Sequence, residues 1–370
     1  MGQLNKAETK IAIIALTSGG KNLALNLLKK MDGIEIYLPE KMKEKSGNYN
    51  YYSSLQDLTA ELFKSYDGLV FVMALGIVIR MIAPHLQSKK SDPAVVTIDE
   101  KGNNVISTLS GHLGGANKLS LDIAQKIGAN AVITTATDCH NLEAIDLLAQ
   151  RIGCEIQPFT RLKYANAALV NGKKLNIFTD YQLEIETNEQ INIVPLKLRE
   201  KKDCRNKKNK MNNSCQEAEF SVVISNEKLK LQKDELQLIP QNIIIGIGCR
   251  KNVPELKITE AVDDLLQELK LHKKSIKKIA TIDLKKDEKG ILDFAEKNKL
   301  DIEIVDRTEI EKIEADLNIE KSKFVKKITG IAAAAAPAAI LSSGKGNLIM
   351  DKRKFSGITL AVFEEEFGNE

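Results

Sequence analysis

The stretch NVISTLSGHLGGANKLSLDIAQKIGANAVITTAT, residues 104–137, decides how the fold is read. It opens on a strand-like run, NVISTLS (104–110), and passes through glycines on both sides of a histidine. It continues as LGGANKLSLDIAQKIG (113–128), amphipathic at helical spacing and stopped by glycine, and returns as the strand-like NAVITTAT (130–137). Strand, helix and strand in that order is the unit of a mostly parallel sheet covered by helices.

The pattern extends on both sides. Upstream, IAIIALT (11–17), IEIYLP (34–39) and DGLVFVMA (67–74) read as strands, with helices over 19–31 and 53–66 and a polar loop before the second. GIVIRMIAPHL (76–86) is an apolar helical segment, AVVTID (94–99) pairs with NVISTLS through EKGN, and NLEAIDLLAQRIG (141–153) is a further helix. Helical periodicity weakens over 154–240, where the short strand-like pieces KKLNIFTD, LEIET, NIVPLKL and FSVVIS stand. Between them KLREKKDCRNKKNKMNNSCQE (197–217) reads as a solvated, mobile basic loop, with a role in guiding an anionic substrate as the competing reading. Alternation resumes with NIIIGIG (242–248), a helix starting near Thr259, strands over 276–284 and 302–306 around a helix at 290–299, an alanine-rich helix over 330–344 and a closing hairpin over 348–366. The expected fold class is α/β: an N-terminal mostly parallel sheet flanked by helices (1–153), a smaller β-rich middle region (154–240) and a second, C-terminal α/β domain (241–370).

Composition narrows the function. With 43% apolar and 28% charged residues, the 370-residue chain reads as a soluble globular protein. Its polar start, MGQLNKAETK, is not a signal peptide and no apolar run is long enough to span a bilayer, so a cytoplasmic location with no membrane partner is expected. The five cysteines form no C-x-x-C pair, which argues against a disulfide framework or a structural zinc site, and no metal ligands are assigned. A net charge of +4 suits an anionic small molecule; with no tryptophan and 5% aromatics, nucleic acid is not expected.

LSGHLGGAN (109–117) lacks the Walker, dinucleotide and nucleophile-elbow patterns. Two readings stay open. The tip cradles an anion on backbone N–H groups with His112 as a proton carrier at its mouth, or it is a tight turn that the histidine caps. In the first reading Ser110, His112 and Asp138 are the candidate catalytic residues, and Gly111, Gly114, Gly115 and Asn117 bind substrate. A second strand tip, TTATDCHN (134–141), brings Thr135 and Thr137, with Asp138 either orienting the imidazole or capping the next helix. A third holds Gly76 and Arg80, a carboxylate clamp or an ordinary ion pair; the clamp requires that the clusters meet. A fourth, GIGCRKN (246–252), offers Gly248, Arg250 and Lys251 as an anion site, with Cys249 read as packing.

Taken together, GLVFVMALGIVIRMIAPHL, DPAVVTIDEKGNNVISTLSGHLGGANKLSLDIA and AVITTATD resemble the N-terminal part of the CbiG family of cobalamin biosynthesis, the cobalt-precorrin-5A hydrolases. GIGCRKNV, GIAAAAAPAAIL and KRKFSGITLAV resemble its C-terminal part, and the likeness runs from about residue 10 to 365, weakest over 155–240. The resemblance implies an anionic cobalt-tetrapyrrole substrate, opening of its ring-A δ-lactone by water, and loss of the C20 fragment as acetaldehyde. It implies no resident cofactor, since cobalt arrives inside the substrate, and transient contact with the corrin-pathway methyltransferases; a homodimer is left open. The competing reading is a non-catalytic tetrapyrrole carrier between those methyltransferases. One departure is Ala336, which stands just before Pro337 where the family pattern is acidic.

Overall fold

A computed structural model describes residues 9–44, 47, 49–185, 189–199, 220–313 and 333–368. The chain divides into two compact units, 1–147 and 148–370.

The first unit is built on a seven-stranded sheet. In chain order its elements are β1 (Ile11–Ala15), α1 (Ser18–Leu28), β2 (Ile34–Pro39), β3 (Asn50–Tyr52), α2 (Leu55–Ser65), β4 (Gly68–Val72), α3 (Leu75–Ile82), β5 (Ala94–Ile98), β6 (Asn104–Leu109), α4 (Ala116–Ile127), β7 (Asn130–Val132) and α5 (Ala136–Cys139). Helix α6 (Ile145–Arg151) crosses the division. The strand order is β3-β2-β1-β4-β5-β6-β7, parallel throughout except for the antiparallel β5–β6 pair. Strands β1, β4 and β5 are apolar without a break because both faces of the sheet are covered. Ile11, Ile13, Val70, Val72, Val96 and Ile98 pack with Leu27 of α1 and Ile123 of α4, while Ala12, Ile14, Leu69, Phe71 and Val95 pack with Leu62 of α2 and Val78 of α3. The β5–β6 reversal turns on Asp99, whose carboxylate accepts the N–H of Lys101 (3.0 Å) and of Asn104 (2.6 Å), with Gly102 at φ +70°.

That reversal fixes the site's position. Val95 near the start of β5 pairs with Leu109 at the end of β6, so β6 and its parallel neighbour β7 finish at the edge where β1, β4 and β5 begin.

The second unit holds two five-stranded sheets. One comprises β8 (Cys154–Gln157), β9 (Leu175–Phe178), β10 (Ile191–Val194), β11 (Phe220–Ile224) and β12 (Glu235–Pro240), in the order β10-β9-β11-β12-β8, with helix α7 (Leu162–Val170). The other comprises β13 (Ile243–Cys249), α8 (Glu255–Glu268), β14 (Ile276–Ile282), α9 (Lys289–Asn298), β15 (Asp301–Val305), α10 (Arg307–Ile313), α11 (Ala335–Leu341) and the hairpin of β16 (Gly346–Phe355) and β17 (Ile358–Glu365). Its order is β15-β14-β13-β17-β16.

Several expectations are corrected. The polar loop before α2 contains β3, and the strand expected over 130–137 stops at Val132, Ala136–Cys139 being helical. Helix α7 lies where only strands were expected: Leu162, Ala165, Ala168 and Leu169 carry its buried stripe, and alanine makes that stripe faint. LEIET forms no strand over 183–185. Helix α8 starts at Glu255, after Pro254, and not near Thr259, whose hydroxyl bonds the Glu255 carboxylate at 2.6 Å. Residues 200–217 of the basic stretch lie outside the described residues.

Candidate functional site

At the shared tips of β6 and β7 the chain buries a histidine between two carboxylates. His112 Nε2 is 2.9 Å from Asp138 Oδ2 and 3.2 Å from Thr137 Oγ1, and His112 Nδ1 is 3.2 Å from Asp146 Oδ2. Asn117, in the first turn of α4, ties the cluster to both strands. Its Nδ2 donates to Thr135 Oγ1 (3.1 Å) and Asp138 Oδ2 (3.0 Å), and its Oδ1 accepts from Ser107 Oγ (2.6 Å). The side chains of His112 and Asp146 are 10% and 3% exposed, whereas that of Asp138 is 29% exposed. Asp138 is therefore the face the cluster turns to solvent.

With a carboxylate at each ring nitrogen, the form that donates at both positions is the imidazolium. The hydrogen bond to Asp146 foremost, with that to Asp138, holds the His112 pKa above its ordinary value of 6.5 against the opposing effect of burial. The cluster thus favours the cationic form of His112, and the ring positions Asp138.

Part of the expected backbone cradle is taken up within the loop itself. Gly115 N–H donates to His112 O (2.9 Å), Ala116 N–H to Ser110 O (3.1 Å) and Asn117 N–H to Gly111 O (3.0 Å). The first two N–H groups of α4 are thus satisfied by the loop before it. The glycines make the loop possible: Gly115 has φ +85°, a Cβ on Gly111 would stand 2.7 Å from Asn117 Oδ1, and a Cβ on Gly114 would overlap Ser110 Cβ. Ser110 shapes the loop, at φ +58°, with its Oγ buried and unbonded, so it does not present a nucleophile.

Gly76 and Arg80 do not join the cluster. Gly76 opens α3 after β4, at the edge of the sheet opposite the tips of β6 and β7. Arg80 is exposed and its Nη1 reaches back to Gly76 O at 3.4 Å, which needs no clamp. Gly248, Arg250 and Lys251 belong to the second unit, at the end of β13. There Arg250 N–H donates to Gly357 O (2.8 Å), and the side chains of Arg250 and Lys251 are exposed. Burial pushes the Cys249 thiol up to about 11, in keeping with packing. Ala336 is buried in an apolar patch with Ala335 and Ala361, so this position supplies packing and no charge.

Sequence reasoning missed Asp146 and Ser107. A signal for Asp146 was present: it is the acid between Ile145 and Leu148 in an apolar helical run, and a buried acid there requires a partner. Among the described residues, no helix is long and apolar enough to cross a membrane.

Comparisons with known proteins bear on the whole chain. Family models for the N-terminal part of cobalamin synthesis G, the cobalamin-biosynthesis central region and the cobalamin synthesis G C-terminus match residues 57–138, 143–240 and 243–363. A cobalt-precorrin-5A hydrolase of Priestia megaterium is 32% identical over 365 residues, covering 95% of this chain and 94% of that protein. One of Salmonella typhimurium is 31% identical over 355 residues, covering 95% and 97%. With the three segments matched in order and identity above 30% across nearly the full length, the chain belongs to the cobalamin synthesis G family.

Proposed function

We propose that this protein is a cobalt-precorrin-5A hydrolase of anaerobic cobalamin biosynthesis. It opens the ring-A δ-lactone of an anionic cobalt-tetrapyrrole and releases the C20 fragment as acetaldehyde. The observation that carries the reading is the identity, over 95% of this chain, to relatives bearing that name. The cluster at the tips of β6 and β7 supplies the chemistry. Opening an ester needs a base for water and a fixed geometry for attack. Asp138 Oδ1 accepts no hydrogen bond among the described residues, while Oδ2 is held by His112 and Asn117. Asp138 takes a proton from water as the oxygen adds to the lactone carbonyl. The bond between the carbonyl carbon and the lactone ring oxygen then breaks, Asp138 returns its proton to that oxygen, and a carboxylic acid, which ionises to water, and a free hydroxyl remain. Loss of the hydroxyl proton forms the aldehyde C=O as the bond to the ring carbon breaks; the macrocycle keeps that electron pair and takes up a proton. His112 Nε2, 2.9 Å from Asp138 Oδ2, orients Asp138. Cobalt enters with the substrate and leaves with the product.

The test is to incubate the purified chain with cobalt-precorrin-5A and trap acetaldehyde. Release by the wild type, cut more than about tenfold in His112→Gln, is expected. Tight binding with no acetaldehyde overturns the hydrolase and favours the carrier.

A further inference from the structure

The two carboxylates that flank His112 stand in unlike surroundings. Asp146, in the first turn of α6, has a side chain 3% exposed, and its neighbours Ala144 and Ile145 are buried. It meets His112 Nδ1 at 3.2 Å. Asp138, 29% exposed, meets His112 Nε2 at 2.9 Å, and the same oxygen accepts from Asn117 Nδ2 at 3.0 Å. Thr137 Oγ1 stands 3.2 Å from Nε2. Among the described residues, the titratable groups that face the ring are Asp138 from α5 and Asp146 from α6; Asn117 from α4 and Thr137 are uncharged.

That asymmetry decides which proton the imidazolium can spare. Removing the proton from Nδ1 turns a lone pair towards a carboxylate that water barely reaches, where repulsion is screened least. Removing it from Nε2 costs less. Asp138 keeps the Asn117 amide and its solvent, and the Thr137 hydroxyl can rotate to donate to the bare nitrogen. The bond to Asp146 is also the foremost cause of the raised His112 pKa. In a neutral imidazole, the hydrogen bond made by one nitrogen sets the protonation of the other.

We propose that Asp146 is a positioning residue: it keeps a proton on Nδ1, so that the proton His112 gives up and takes back is the one on Nε2, against Asp138. The consequence is directional. With Nε2 protonated, the ring donates to Asp138 Oδ2 and anchors that carboxyl group with Oδ1 open to a water molecule. With Nε2 bare, the anchor is lost while Nδ1 stays tied to Asp146. The ring therefore switches on the side of Asp138 and stays fixed on the buried side. That this switch governs lactone opening rests on the proposed function, whereas the choice of nitrogen does not.

The experiment isotope-labels the full chain at histidine nitrogens only and follows the ring signals by NMR against pH; those of His112 are the ones absent from His112→Gln. In the wild type, Nε2 is expected to lose its proton and Nδ1 to keep it. In Asp146→Asn the amide can donate to Nδ1, so the midpoint is expected at lower pH, with Nδ1 bare and Nε2 protonated. Loss of the Nδ1 proton in the wild type, or one tautomer and one midpoint in both chains, overturns the assignment. If Asp146→Asn does not fold, the wild-type spectrum decides alone. Acetaldehyde release from cobalt-precorrin-5A is then read against pH. Wild-type release should fall about tenfold per pH unit beyond the His112 midpoint, while that of Asp146→Asn stays within about twofold over the same range. The same alkaline fall in both ends the role of Asp146 and leaves the hydrolase. No release from the wild type ends the proposed function, and the spectra still decide which nitrogen Asp146 keeps protonated.

Discussion

The tip after β6 and the tip after β13 look alike in sequence, each a strand running into glycines and cationic residues. In the structure they do opposite things. After β6, glycine lets the loop fold over its own helix and bury His112 between Asp138 and Asp146. At β13, glycine lets another helix in: a Cβ on Gly246 would overlap the Ala335 carbonyl at the start of α11, while Arg250 and Lys251 stay in solvent. A glycine motif reports that something approaches the backbone closely. It does not report what approaches.

Four substitutions or conditions break or sharpen that contrast. The largest effect is expected at Asp138. Asp138→Asn keeps the shape of the cluster and removes its base, and acetaldehyde release should fall about 100-fold or more; a rate within a few fold of wild type would return the tip after β6 to the status of a tight turn. Gly246→Ala comes next. The added methyl has no room beside Ala335, and urea denaturation should show a loss of about 3 kcal/mol. Gly248→Ala, with no atom nearer than 3.9 Å, is its control and should change little; equal losses at both would remove the packing role of Gly246.

A smaller effect concerns pH. Because the His112 pKa is raised in the folded chain, its stabilisation is fully present below the unfolded value near 6.5 and is lost as pH rises through the folded value. The stability difference between wild type and His112→Gln should therefore shrink from mildly acidic to alkaline pH, as followed by denaturation at several pH values. A difference that grows with pH would mean that the imidazole is neutral in the fold. Glutamine is preferable to alanine here, since its amide keeps a hydrogen-bond donor beside a carboxylate only 3% exposed. The smallest effect is at Ser110. Its φ of +58° suits glycine, and Ser110→Gly should lie between no change and a gain of about 1 kcal/mol in thermal unfolding. A clear loss would give the buried hydroxyl a task the structure does not show.

Much of this was legible beforehand. The runs IAIIA, GLVFV and AVVTI announce strands buried on both faces, because only a sheet covered on both sides admits unbroken apolar sequence. His112, Asn117, Thr135, Thr137 and Asp138 were identifiable as strand-tip residues, and the structure brings all five together. Gly76 and Arg80 looked equivalent because they too follow a strand. The AVVTID–NVISTLS hairpin, itself readable, sends β6 backwards and places its tip at the other edge. Asp146 looked like one acid among many on helices.

Sequence alone determined which segments are buried, and hence the α/β class, since burial is written in local apolar periodicity. It also named most of the polar residues at the tips of β6 and β7. Only the tertiary structure decided that His112 is clamped from both sides, that Asp138 faces outward, and that the first two N–H groups of α4 are taken by its own loop. Those outcomes depend on distances between groups far apart along the chain, and the charge state of an imidazole is set by what surrounds it, not by the residues beside it in sequence.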